Sequence, residues 1–574
     1  MKRTIEDILK KAVGNEAVFD VLIPEESSFG HYSTNVAMRL GKAEKKDPMV
    51  LGEEIAEKIR ASSPKGFFEK VDVTKPGFIN FWLTPQTLQK EFLGIAKKKD
   101  SYGKSALGKG KTAIIEHSQP NIAKELHVGH LRTTFIGDAL SNIHEFSGYK
   151  VVRWNYLGDW GTQFGKVIAA YKLWGKKSDV QKNAVKELSN LYIRFHDEAK
   201  RDPALEDRAR EEFRKLEGGD SENKKLWEWF KKESVKKLEE IYKVLGVKFT
   251  TWIGESSFEK DMKSVIRRLT ERGFAKKSEG ALIVPLEEFG LPPALVEKSD
   301  GTSLYLSRDI ANLEYRIKKF KPVKLLYVVG NEQTLHFEQL FAIAKKMGIS
   351  GPEMTHVKYG LILGDDARKL ATREGRTILA EDMVEKAVAL ARTVIKEKAR
   401  DLSRKEKETV AHAVGIGALK YNTLRENHRS DMVFDWKKML DFSGESGPYL
   451  QYTYARLRSI VRKAGKAGKA NLGLLTKKEE LAVMRKVFDF PEEIKRSTEA
   501  YSTNNITIYL YELANLANRF YETTPVLSSQ GGSASGGKEE NVSRRNARLL
   551  LIGVVASVLK RGLRLLGIEA PERI

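Results

Sequence analysis

Apolar and polar positions alternate early in the chain. In FFEKVDVTKPGFINFWLT, residues 67–84, the positions Val71, Val73, Phe78, Phe81 and Leu83 follow the two-residue period of half-buried strands. EEIAEKI just before it has helical spacing, so residues 1–108 are expected to form a separate α+β domain. SYGKSALGKGK then breaks the pattern with glycine and lysine. From 109 to 403, short β-rich runs (TAIIEH, YKVVRWNYL, VKLLYVVG, MTHVKYGLIL) alternate with helical stretches. That rhythm predicts an α/β domain with a Rossmann-like parallel sheet. A charged run over 176–219 predicts helices inserted after an early sheet strand. Over 404–574 the β signal fades and the pattern is all-helical, with a Gly/Ser-rich loop at 528–541.

A length of 574 residues suits three or four domains, and 41% hydrophobic with 31% charged residues is a soluble, globular balance. Zero cysteines exclude disulfides, thiolate metal sites and cysteine nucleophiles. MKRTIEDILKKAVGNE has no apolar core segment and predicts no secretory leader. LLLIGVVASVLKRGLRLLGI is interrupted by Lys560, Arg561 and Arg564, so no membrane association is expected. A cytoplasmic location is expected. The net charge of +23 changes the picture more, because such an excess attracts polyanions such as nucleic acid.

Candidate chemistry concentrates in TAIIEHSQPNIAKELHVGHLRTTFIGDAL, residues 112–140. Strand, polar loop and helix follow one another here, and such loops bind ligands in open α/β sheets. His127 and His130 lie one helical turn apart, and Gly129 between them allows close packing against the backbone. The helix start is expected to offer unpaired N–H groups and its dipole to a phosphate. Imidazoles can also donate to phosphate oxygens as charge develops. The plainer reading is a helix start with incidental histidines, and a metal pair lacks further ligands nearby. GKSALGKGKT imitates a phosphate loop, but its spacing fails and it precedes the strand. Far downstream, ARKLATREG places Lys369, Thr372 and Arg373 before Gly375, two cations suited to a departing pyrophosphate.

HVGH followed at long range by KLATR resembles the paired signatures of class I aminoacyl-tRNA synthetases. NYLGDWGTQFG, KSDGTSLYLSRDIANLEYR, VVGNEQTLHFEQLFAIAKKMG, MVFDWKKMLDFSGESGPYLQYTYARLRSI and LLGIEAPERI narrow the resemblance to the arginyl family, over nearly the whole chain. FGHYSTNVAMRLGK and KPGFINFWLT resemble that family's N-terminal tRNA-binding domain, and residues 404–574 its anticodon-binding domain. The resemblance implies ATP-dependent ligation of L-arginine to its cognate tRNA through arginyl-adenylate. It assigns His127, Gly129 and His130 to ATP, with Lys369, Thr372 and Arg373 following the transition-state charge. This loop departs from the general lysine–methionine–serine–lysine–serine signature, and Lys124 resembles the lysine that compensates. Mg2+ is expected to travel with ATP, without a dedicated protein site.

A guanidinium needs fixed carboxylates. The resemblance assigns Glu116 and Asn121 to arginine's α-amino and carboxylate ends, Tyr305 and Asp309 to the guanidinium, and Gln333 to a polar contact. PYLQYTYARLRSIVRK interleaves tyrosines and arginines, and Tyr449, Tyr454 and Arg458 are expected to meet tRNA. A monomer is expected. Three rivals remain at this point: a class I ligase for another amino acid, a nucleotidyltransferase without tRNA, and a non-catalytic RNA-binding derivative.

Overall fold

The structure, a computed structural model, describes residues 1–24, 26–298, 305–364, 378–399, 401–466, 468–526 and 538–574. Side chains of Ser27, Tyr305 and Lys538 are not among those described.

The amino-terminal part is a four-stranded antiparallel sheet with helices packed on it. The strand-like stretch is a hairpin of Phe68–Thr74 and Phe78–Leu83, with Val71 opposite Phe81 and Val73 opposite Ile79. Asp47 and Thr84 cap the helices Pro48–Ser62 and Pro85–Lys98 by accepting N–H bonds, and proline follows each cap, where its missing N–H costs nothing.

The centre is a five-stranded, wholly parallel sheet. Its strands are β1 (Thr112–Glu116), β2 (Lys150–Leu157), β3 (Thr251–Gly254), β4 (Lys324–Gly330) and β5 (Glu353–Tyr359), in spatial order β5-β4-β1-β2-β3. The near-continuous apolar runs of β1 and β4 fit strands covered on both faces. Between β2 and β3 the expected insertion is present as five helices, from Thr162–Trp174 to Ser221–Leu245.

Two features depart from the pattern read along the chain. Residues 276–278, 281–284 and 294–297 make a small antiparallel sheet, whose short strands carry too little alternation to stand out. The part beyond 404 is not wholly helical. Met432–Val433 pairs in parallel with Ile362–Leu363 and stitches it to the central part of the chain. Of the expected Gly/Ser loop, residues 528–537 lie outside the described residues, and residues 538–541 already belong to the helix Lys538–Leu565.

The helix Val128–Phe146, hereafter the histidine helix, is buried on nearly every side, as its apolar positions all round the axis require. Its approach to β1 is set by Gly137. A Cβ there would lie 2.2 Å from Cβ and Cγ of His117, the residue following β1. Gly137→Ala should therefore cost about 1–3 kcal/mol through overpacking, read as a lowered urea midpoint. A midpoint equal to wild type would show that the helix has slack at this position.

Candidate active site

The sheet's order reverses between β1 and β4, which is where open α/β sheets bind ligands. A cavity of about 550 Å³ lies there, with Glu116 and Ser118 from the β1 end and Tyr327, Val329 and Gly330 from β4. The start of the histidine helix forms one wall.

The two histidines cap their own helix. His127 is the N-cap, and its Nδ1 accepts the Gly129 N–H at 3.1 Å. The His127 N–H donates in turn to Nδ1 of His130, also at 3.1 Å. This is a capping box in which imidazoles replace the usual hydroxyl and carboxylate. Any side chain at Gly129 would begin 2.9 Å from the His127 ring and push it off the cap. The expected free N–H groups are thus taken, since Val128 N–H also donates to the Ile378 carbonyl at 3.0 Å. Because both Nδ1 atoms accept, each neutral ring carries its proton on Nε2. Burial, with His127 beside it, holds the His130 pKa down at about 3, so that ring is a neutral donor at pH 7.

Four carboxylates share the cavity: Glu116, Glu255, Asp309 and Glu332. Glu116, the last residue of β1, accepts from Gln119 at 2.7 Å and pairs with the fully buried Arg316. The Arg316 guanidinium stacks 4.3 Å from the Trp154 ring and reaches Asn312 through Nε at 2.9 Å. Asp309, in the first turns of the helix Tyr305–Phe320, accepts from Nε2 of His336 at 2.7 Å. Glu255 follows β3 and sits 3.0 Å from Arg308. Burial pushes its carboxyl up to about 7 despite Arg308, with Asp309, Asp159 and Glu259 adding negative charge nearby.

Of the residues anticipated from sequence, Glu116, Asn121, His127, Gly129, His130, Asp309 and Gln333 all line this one cavity. Lys124 does not. Its ammonium lies 4.7 Å over the Tyr192 ring of the inserted helices, and burial lowers its pKa. The Tyr305 side chain, Lys369, Thr372 and Arg373 lie outside the described residues. The described ends of that last segment bracket the cavity, with Ile362 in its lining and Leu379 bridged to His127.

Tyr449 is half-buried, its hydroxyl bonded to Asn515 and Asn518 at 2.6 and 2.9 Å. Arg458 is partly exposed, 3.6 Å from Glu572. Tyr454 is 1% exposed and packed in the helical core, with its hydroxyl 3.3 Å from Glu572 at a cavity it shares with Arg458 and Lys560.

Arg132, Glu255, Arg316 and His336 escaped the sequence reading. Glu255 was missed because the four-residue strand before it was not read. The other three stand inside motifs that were noticed, without a spacing that marks their roles.

A family model described as tRNA synthetases class I (R), catalytic domain, matches residues 93–436. One for the DALR anticodon binding domain matches 450–574, and one for the arginyl tRNA synthetase N terminal domain matches 1–83. Fold and cavity therefore define a class I aminoacyl-tRNA synthetase. The arginine–tRNA ligase of Halothermothrix orenii is 39% identical over 581 residues, covering 100% of this chain and 99% of the relative. That of Clostridioides difficile is 38% identical over 578 residues, covering 100% and 98%. The fold matches the arginyl-tRNA synthetase structure from Thermus thermophilus with a TM-score of 0.83 at 23% identity, each chain covered in full. The Plasmodium falciparum structure gives 0.81 at 24%, covering 100% and 99%. This chain belongs to the arginine–tRNA ligase family.

Capping and chemistry can be separated by substitution. His127→Asp combined with His130→Glu keeps the cap acceptors while removing the ring N–H donors, so stability should change by no more than about 1 kcal/mol. Adenylate formation should nevertheless fall roughly a hundredfold or more, the usual cost of one lost donor to developing charge. Near-normal turnover of that double variant would reduce the histidines to a helix cap.

Proposed function

We infer that the protein joins L-arginine to its cognate tRNA in two steps. The arginine carboxylate attacks the α-phosphate of ATP, giving arginyl-adenylate and pyrophosphate. A terminal ribose hydroxyl of the tRNA then takes the arginyl group and AMP leaves. Placement and charge stabilisation carry both steps, with no protein nucleophile. The observation that carries this reading is the cavity itself, where four carboxylates meet the neutral His130 ring and its cap partner His127 at the switch point. That is a fitting receptacle for a cationic side chain at one end and a triphosphate at the other. The rival readings fall with family membership.

In this reading Asp309 and Glu255 clasp the guanidinium, with Tyr305 and Gln333 beside them. Glu116 and Asn121 orient the α-amino and carboxylate ends. Arg316 keeps Glu116 aimed; paired on one oxygen, that side chain still has lone pairs for an ammonium. His127 and His130 donate to phosphate, Gly129 faces the adenosine, and Lys369, Thr372 and Arg373 follow the leaving pyrophosphate. Lys124 would act only after leaving the Tyr192 ring. Mg2+ would arrive on the ATP phosphates. Among the described residues no three His, Asp or Glu side chains gather as a metal cage.

Residues 1–108 and 404–574 are proposed to hold tRNA on either side of a catalytic domain spanning 109–403, with Tyr449 and Arg458 among the contacts. The net charge of +23 suits that partner. We place the enzyme in the cytoplasm as a monomer. No helix among the described residues is long and apolar enough to cross a membrane.

Aminoacylation of total tRNA with each of the twenty amino acids should proceed with arginine alone. Comparable charging by another amino acid would sink the assignment. Glu255→Gln should raise the arginine KM about tenfold to a hundredfold, the size of a lost charged hydrogen bond, with the ATP KM unchanged. Equal shifts in both constants would mean that Glu255 shapes the cavity without touching arginine.

Activation should also depend on tRNA. The segment bearing Lys369 and Arg373 lacks the usual lysine pair, and the helical part follows it closely in sequence. ATP–pyrophosphate exchange should sit near background with arginine alone and rise sharply on adding cognate tRNA. Strong exchange by nuclease-treated protein would overturn this order of events and leave the arginine assignment standing.

A further inference from the structure

The guanidinium subsite already has a tenant. Asp309 accepts a 2.7 Å hydrogen bond from Nε2 of His336, and both side chains are largely buried against the cavity. A planar cation donating to Asp309 from inside the cavity is what the substrate must also be. The two compete for one carboxylate.

We propose that His336 is the resident counter-ion of Asp309, and that arginine binds by exchange. The guanidinium takes over the Asp309 hydrogen bond, and the imidazolium gives up its Nδ1 or Nε2 proton to solvent. This rests on the assignment of Asp309 to the guanidinium. Proton and charge balance follow directly: one cation enters, one proton leaves, and the subsite's net charge is unchanged.

The surroundings support the exchange. Burial alone would lower the His336 pKa, but the hydrogen bond and charge of Asp309, with Glu116 behind it, raise it above the ordinary histidine value near 6.5. Glu116 is itself paired with Arg316, and Glu255 with Arg308, so Asp309 is the carboxylate that holds the imidazolium. Glu332 lies on the rim, on the segment leading into the His336 helix. The phenols of Tyr156 and Tyr327 are pushed upward by burial and stay neutral, and His356, packed on Phe337, is pulled down by burial and stays neutral as well. When a guanidinium occupies Asp309, the imidazole loses its counter-charge and gains a permanent cation as neighbour, and its pKa falls.

The direction with pH is fixed by those two states. Arginine binds the unprotonated form, so affinity is weakest at acid pH and rises as pH climbs toward the raised His336 pKa. The slope approaches tenfold per pH unit, and affinity levels off above that pKa. Glu255 also sheds a proton near pH 7 when a cation arrives, so His336's share must be read by difference.

Calorimetric titration of L-arginine into the full-length enzyme, in two buffers of unlike protonation enthalpy, counts the protons released between pH 6 and 9. Wild type should release protons near neutrality, and His336→Gln should release fewer, by up to about one per arginine. His336→Gln should also flatten the pH dependence of affinity while binding arginine within a few-fold of wild type at pH 9. Equal proton counts in the two proteins would overturn the exchange. Asp309→Asn separates the underlying assignment from the inference: wild-type affinity in that variant would overturn both. Lost affinity together with equal proton counts would overturn the exchange alone.

Discussion

The buried guanidinium of Arg132 is the contact on which the site depends. It stands two residues after His130 and is 0% exposed. It donates to the carbonyls of Gly360 and Leu361 at 2.7 and 2.6 Å, and to those of His428 and Ser430 at 3.3 and 2.7 Å. One side chain therefore ties the histidine helix to the chain leaving β5 and to the loop that follows helix Arg404–Arg425. Without it, four carbonyls would lose a partner, and the two on buried residues, Gly360 and His428, would cost about 1–3 kcal/mol each if left unsatisfied. Only a fixed fork of five donors serves two segments at once, which a lysine cannot do. The helix that carries the capping histidines is thus anchored beside them, in the cavity wall itself.

Charge is arranged oppositely at two scales. The whole chain carries +23, suited to a polyanion, whereas the cavity gathers carboxylates. Carboxylates at such close quarters raise one another's pKa, and Glu255, pushed up to about 7 first by burial and then by Asp309, Asp159 and Glu259, shows that pressure. Internal cations relieve it: Arg316 for Glu116, Arg308 for Glu255, His336 for Asp309. The two arginines are fixed by stacking or by second carboxylates, Arg316 on Trp154 and Arg308 with Glu259. The histidine alone can leave by losing a proton, and it faces the position assigned to the substrate's charged end.

How much of this was legible in the sequence follows from the range of each interaction. Parallel strands buried on both faces announce themselves as apolar runs, so β1 and β4 could be read directly, while β2 and the edge strand β5 showed through β-rich composition. β3 is four residues long and half-polar, and with it Glu255 stayed hidden. The histidine pair was legible as a site, but its reciprocal cap was not, because an imidazole is an unusual cap acceptor. Local spacing likewise could not tell that Lys124 turns toward Tyr192, nor that Tyr454 faces the helical core. Arg132 and Arg316 act through partners about 200 to 300 positions away, as 132 to 428 and 316 to 116 attest, and no periodicity encodes such pairs.

The far end of the histidine helix is held as firmly as its start. Asp138 takes Nη1 of Arg153 at 2.8 Å and lies 3.9 Å from the fully buried Lys420, whose ammonium donates to the Gly567 carbonyl at 2.6 Å. Ser147 and Thr498 share a hydroxyl bond of 2.8 Å, and His144 stacks on Tyr501 at 14°. Burial lowers the Lys420 pKa, so this cluster adds little net stability; the desolvation of its charges offsets their attraction. What it fixes is register. A slide of the helix relative to Arg404–Arg425 would strand a lysine and an aspartate in the core, at several kcal/mol each. The helix, close-packed along its whole length, cannot absorb such a slide by bending. Its two ends are therefore held in one register, by Arg132 beside the histidines and by Asp138 further along.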